Sequence, residues 1–138
     1  MIPVLLRIEN HGKSFHWAGR LLPQSHFNDA SLLYDFCRHV DDLVDEASDS
    51  REAKTRLDQL RQDLWSDKPK QPLNEALRKL MADQQLEQCW VEDLIEGVVS
   101  DLGEVCLQTK EELLCYAYRV AGTVGLMMAQ VLGCRNPH

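Results

Sequence analysis

Leu33-Tyr34-Asp35-Phe36-Cys37-Arg38-His39-Val40-Asp41-Asp42-Leu43-Val44-Asp45 is the stretch on which the reading of this chain turns. At roughly 100° per residue, Tyr34, Arg38, Asp41 and Asp45 follow steps of four, three and four and form one polar stripe. Leu33, Cys37, Val40 and Val44 make an apolar stripe beside it, and Leu32, Phe36 and Leu43 occupy much of the far side. A helix that is apolar around most of its circumference is a buried helix. Its narrow polar stripe is then expected to face a cavity or cleft, because unpaired buried charge is very costly.

The carboxylates of Asp41 and Asp45 stand four residues apart and repel each other in a helix. They also crowd the negative end of the helix dipole. A hard divalent cation removes both costs. Mg²⁺ takes one or two carboxylates and fills its remaining positions with water and phosphate oxygens. With Arg38 one turn earlier, the stripe suits a Mg²⁺-diphosphate ligand. The alternative is a solvated acidic surface near a helix end.

Outward from this helix, periodicity of the helical kind covers nearly the whole chain, and strand alternation and hairpin turns are nearly absent. The pattern predicts a helix ending near His11-Gly12 and a short one over Ser14 to Leu22. The long helix follows Pro23 and runs to about Asp45, and Ala47 to Arg51 reads as a loop. A charged amphipathic helix is expected over Glu52 to Trp65, broken by Ser66-Asp67-Lys68-Pro69-Lys70-Gln71-Pro72. Further helices are expected over about Leu73–Leu86, Cys89–Leu107 and Lys110–Leu132. The chain reads as one all-α domain over residues 1–138.

Composition narrows the classes. With 138 residues, 44% hydrophobic and 27% charged, the chain can bury a core and is too apolar for disorder. A formal net charge of −7 without a basic stripe argues against nucleic-acid binding. The five cysteines are odd in number, form no CxxC pair and fall largely in apolar helical patterns. They read as buried reduced thiols, which points to a cytoplasmic location. The apolar run from Val120 to Cys134 is shorter than a spanning helix needs and contains three glycines. HExxH, zinc-type Cys/His spacing, P-loop, GxGxxG and GxSxG patterns do not occur.

Two more segments carry chemistry. In His11-Gly12-Lys13-Ser14-Phe15, Gly12 permits a bend and Ser14 can cap the next helix, beside which a lysine makes an anion site; on the residues alone an ordinary interhelical turn is the simpler reading. In Tyr116-Ala117-Tyr118-Arg119-Val120-Ala121-Gly122-Thr123-Val124-Gly125, poor helix formers cluster inside a helix. Small residues there either admit a close neighbouring helix or leave room for a bulky ligand. α-Helical spacing places Tyr116, Val120 and Thr123 on one face.

Taken together and in this order, the three segments resemble the squalene/phytoene synthase family of head-to-head prenyl transferases. That resemblance implies an isoprenoid-synthase-type all-α bundle around an apolar cavity. It also implies condensation of two farnesyl or geranylgeranyl diphosphates through a cyclopropyl diphosphate to squalene- or phytoene-type products, as in carotenoid biosynthesis. By position in the motifs, Asp41, Asp42 and Asp45 would hold Mg²⁺, and His11, Lys13, Ser14 and Arg38 would contact diphosphate. Phe15 and Tyr34 would line the cavity, Tyr116 would stand near the reacting carbons, and Val120 and Gly125 would border the prenyl tail. NADPH is implied only for a complete squalene synthase, and release of a lipid product implies peripheral contact with a membrane.

The family carries a second aspartate-rich motif on a later helix. Only thirteen residues follow Gly125, none of them Asp or Glu. The expectation is therefore an N-terminal portion whose bundle is incomplete at the C-terminus, inactive alone and completed by a further segment or chain. A truncated fragment or split subunit that binds prenyl diphosphate or a complementing chain is the alternative to the enzyme reading. A helical interaction module with a solvated acidic face is the third.

Overall fold

Why the long apolar-sided helix sits where it does is clearest from its neighbours. The computed structural model describes residues 23–100, 102 and 108–133, apart from the side chains of Tyr116 and Val120. The helices expected before Pro23 lie outside the described residues. Helix α1 spans Gln24–Asp45, α2 Ser50–Leu64, α3 Pro72–Gln84 and α4 Gln88–Ser100. Helix α5, Lys110–Ala117, runs through a π-helical segment, Tyr118–Gly122, into α6, Thr123–Val131. Among the described residues there is no strand, and the fold is all-α.

Helix α1 is the hub: α2, α3 and α6 all pack against it. Its Leu33, Phe36, Cys37 and Val40 are buried at 3% exposure or less, as the apolar stripe requires. Leu57 and Leu64 of α2, Leu77 of α3, Leu94 and Ile95 of α4 and Met127 of α6 close the core around them. Burial pushes the Cys37 thiol up to about 12, so it behaves as a small apolar side chain. Removing that much apolar surface from water is the main force holding the helices together.

Helix boundaries follow local chemistry. Asp49 caps α2 by accepting from the Glu52 amide at 2.8 Å, which starts that helix two residues earlier than periodicity suggested. Pro72, read as the end of the preceding break, is instead the first residue of α3, a position where its missing N–H costs nothing. Helix α3 stops at Gln84 because Gln85 turns left-handed at φ 57°. The Leu86 amide then donates back to the Met81 carbonyl at 2.9 Å, a Schellman-type closure. Thr109 and Glu112 form a reciprocal capping box on α5. Helix α4 ends at Ser100, short of the expected Leu107, and Leu102 already lies in a turn whose amide reaches Val99.

The break between α2 and α3 is held by one carboxylate. Asp63 accepts from the Lys70 amide at 2.8 Å, the Gln71 amide at 3.1 Å and the Asn74 side-chain amide at 2.9 Å. The hydrogen bonds from the Lys70 amide and then Asn74 hold its pKa below the ordinary carboxylate value. A carboxylate with a depressed folded-state pKa contributes stability above its unfolded pKa of about 3.9, and that contribution is lost as pH falls through the folded value. Asp63→Asn is expected to lower the urea midpoint at neutral pH and to flatten the loss of stability below about pH 4. Urea titrations of both proteins across that range check it. Leu94→Ala, at a fully buried site, is expected to cost about 2–5 kcal/mol in the same assay.

Candidate functional site

The polar stripe of α1 divides in the structure. Tyr34 and Asp41 are buried, at 8% and 3% exposure; Asp42 is half-buried, while Arg38 and Asp45 are exposed. Exposure therefore alternates along the stripe: Tyr34 and Asp41 turn into the bundle, and Arg38 and Asp45 reach solvent. Ser31, one turn before Tyr34, continues it with a buried hydroxyl that makes no hydrogen bond. The same three-and-four spacing that found the stripe extends to Ser31, but a lone serine carries no charge signal to single it out.

Burying a carboxylate costs several kcal/mol unless charge or hydrogen bonds compensate, so Asp41 is the most informative member. Asp41, Asp42 and Asp45 crowd the C-terminal end of α1, Glu46 follows, and the last turn contains no basic residue. This is the negative end of the helix dipole, where a cation would be welcome. The hard oxygen donors fit Mg²⁺ in kind. Among the described residues no three His, Cys, Asp or Glu side chains are grouped to hold an ion. Mg²⁺ is commonly bound by one or two carboxylates, with water and phosphate oxygens completing its shell, and carboxylate is the donor type Asp41, Asp42 and Asp45 supply.

The other segment singled out in the sequence spans α5, the π-helical segment and α6. α-Helical phasing does not apply across Tyr118–Gly122, because a π turn closes one residue later than an α turn. The expected common face of Tyr116, Val120 and Thr123 therefore does not follow from their spacing. Thr123 is fully buried and its hydroxyl donates to the Arg119 carbonyl at 2.9 Å. The signal for the irregular segment was present as adjacent poor helix formers; its π form was not readable from period.

Glycines in this segment differ in their surroundings. A Cβ on Gly122 would stand 3.1 Å from Cδ2 of Tyr118, so the absent side chain lets that ring lie across the helix. Around the ring, desolvation first and then Asp93, Cys89 and Glu87 push the Tyr118 phenol above its ordinary pKa. A Cβ on Gly125 would meet nothing within 4 Å. Gly125 is exposed, and Leu113, Leu114, Tyr118 and Leu126 are exposed at 41–59% along the same run. The segment presents a largely apolar, open surface. His11, Lys13, Ser14 and Phe15 lie outside the described residues, as do the side chains of Tyr116 and Val120.

The family model for squalene/phytoene synthase matches residues 8–138, and the chain belongs to this family. It is 39% identical over 139 residues to the 15-cis-phytoene synthase of a Paracoccus species, covering 94% of this chain and 46% of that protein. It is 31% identical to the 15-cis-phytoene synthase of Enterobacter agglomerans, covering 94% of this chain and 48% of that one. With the chloroplastic phytoene synthase 1 of Zea mays the identity is 32%, over 91% of this chain and 31% of the maize protein. The chain spans about half the length, or less, of these curated relatives. No solved structure matches it. Among the described residues no helix is long and apolar enough to cross a membrane.

Because Gly125 sits inside α6 with open space before it, Gly125→Ala is expected to raise the unfolding free energy by about 0.5–1 kcal/mol. Urea denaturation of the 138-residue chain measures this, and a loss of stability would show that the site is crowded.

Proposed function

We propose that this chain is the part of a prenyl transferase that carries the first aspartate-rich motif, in an enzyme that joins two prenyl diphosphates head to head. The observation that carries the reading is Asp41, buried at 3% exposure on the α1 stripe of a chain that belongs to the squalene/phytoene synthase family. A carboxylate at the negative end of a helix, with Asp42 and Asp45 beside it, gains from a nearby cation.

In this reading Asp41, Asp42 and Asp45 hold Mg²⁺. When bound, the metal neutralises the diphosphate and makes it a better leaving group. Arg38, with His11, Lys13 and Ser14, binds diphosphate oxygens and stabilises negative charge as it develops. The allylic C–O bond breaks with its electron pair leaving on diphosphate. The double bond of the second substrate then forms the new C–C bond, and loss of a proton closes the cyclopropane ring. Tyr116 stands beside the reacting carbons and assists that proton's removal. Phe15 and Tyr34 supply apolar and aromatic lining that excludes water and stabilises cationic carbon, and Val120 and Gly125 border the prenyl tail. The open space before Gly125 supports that last placement. Peripheral contact with a membrane would let the hydrocarbon product leave.

A second reading has its own support. The exposed apolar run from Leu113 to Leu126, on a chain about half as long as its relatives, favours a subunit or portion that needs a complementing segment before turnover. The two readings are compatible, and turnover by the chain alone tests the second.

Calorimetry with farnesyl thiodiphosphate and Mg²⁺ is expected to show saturable, metal-dependent binding. Asp41→Ala/Asp45→Ala should weaken it by at least about tenfold. Equal binding by variant and parent would sink the assignment of the stripe. Incubation of the 138 residues with farnesyl or geranylgeranyl diphosphate and Mg²⁺ is expected to give no hydrocarbon. Robust product would remove the need for a complementing segment.

A further inference from the structure

We propose that the cleft between the end of α2, α3 and the start of α4 is a second ligand site, for a small anion with an apolar body whose carboxylate or phosphate head docks on Arg78. The cleft has a volume of about 370 Å³ and is lined by Trp65, Arg78, Met81, Ala82, Leu86 and Gln88. That volume lies within the lower range of small-molecule sites, which are mostly apolar with a few oriented polar groups. Four of the six lining residues here are apolar. No residue of the α1 stripe contributes, so the site is separate from the one assigned above and does not depend on it.

Arg78 decides the ligand's chemistry. Its Nη1 donates to the Leu64 and Ser66 carbonyls, both at 2.8 Å, and so closes the end of α2. That leaves the Nε and Nη2 edge, which takes a carboxylate or phosphate through two parallel hydrogen bonds. Among the described residues no hydrogen bond uses that edge, and no carboxylate lies within ion-pair distance of Arg78. A half-buried guanidinium without a counter-charge, held still by two carbonyls, is a preorganised anion receptor.

The opposite wall is also fixed in place. The Trp65 indole donates to Glu92, and Glu92 is paired with Arg61 at 3.4 Å. Arg61 in turn holds Glu96 at 2.9 Å. The nearby acidic groups Glu92 and Glu96 are therefore already engaged by Arg61 and leave Arg78 its charge. Met81 and Leu86, drawn together by the Leu86-to-Met81 hydrogen bond, form the apolar floor. Gln88 adds a neutral donor and acceptor at the rim.

The test is calorimetry and ligand-observed NMR on the 138-residue chain with octanoate, phenyl phosphate and, as the opposite charge on the same apolar tail, octylammonium. Octanoate or phenyl phosphate should bind saturably at one site, and the arm that binds distinguishes carboxylate from phosphate. Arg78→Lys, which keeps the charge and loses the fork, should weaken binding by at least about tenfold. Ala82→Phe fills the cleft from its exposed edge without touching the carbonyl caps of Arg78. It should abolish binding with the thermal midpoint unchanged, and it serves where Arg78→Lys impairs folding. Asp41→Ala/Asp45→Ala should leave the affinity unaltered. Absence of saturable binding by both anions, equal affinity for octylammonium, or undiminished binding by Ala82→Phe would each overturn the proposal and leave Arg78 as a helix cap alone.

Discussion

Helix α1 is required to satisfy opposite demands along its length, and the rest of the bundle follows from that. Its middle turns carry the apolar side chains Leu33, Phe36, Cys37 and Val40, and α2, α3 and α6 pack around it. Its last turns carry Asp41, Asp42 and Asp45, which forbid the same enclosure unless charge is compensated. The packing resolves this by alternating exposure along the polar stripe, with Tyr34 and Asp41 buried and Arg38 and Asp45 exposed. The neighbouring helices supply the cover, and their own ends are fixed by small polar devices such as Asp49, Asp63 and Thr109.

Much of this was open to inspection in the residues themselves, because α1 has a clear period and a proline before it. Its observed limits, Gln24 and Asp45, are the ones the pattern suggests. What periodicity misses are events at longer range or in another geometry. Asp63 draws its partners from seven to eleven residues ahead, across a break whose only sequence sign is composition. Gln85 takes a left-handed conformation although glutamine has no special liking for it; the Leu86 closure and burial over-determine it. Arg78 reads as one more basic residue on an amphipathic helix, and only folding brings it to the carbonyls of Leu64 and Ser66.

The candidate site was readable in its chemistry more than in its arrangement. Residue types and spacing single out the acidic end of α1, yet they place Arg38 and Asp45 in an enclosed cleft, and both are exposed. The open apolar run along α5 and α6 is the counterpart of that exposure. Both surfaces belong to a chain that spans about half the length of the relatives it matches.

The π-helical segment at Tyr118–Gly122 has a consequence for comparing this protein with its relatives. An extra residue in one turn shifts the angular phase of everything beyond it by about one residue's rotation, roughly 100°. Tyr116 and Gly125 thus belong to two differently phased half-helices joined at a dislocation. A substitution seen on one side cannot be projected onto the other by a helical wheel, and an insertion or deletion of a single residue here would re-index the residues beyond it. Correspondence across the segment is a matter of ordered residue identity. The continuous run from Tyr116 to Gly125 supplies that where periodicity does not.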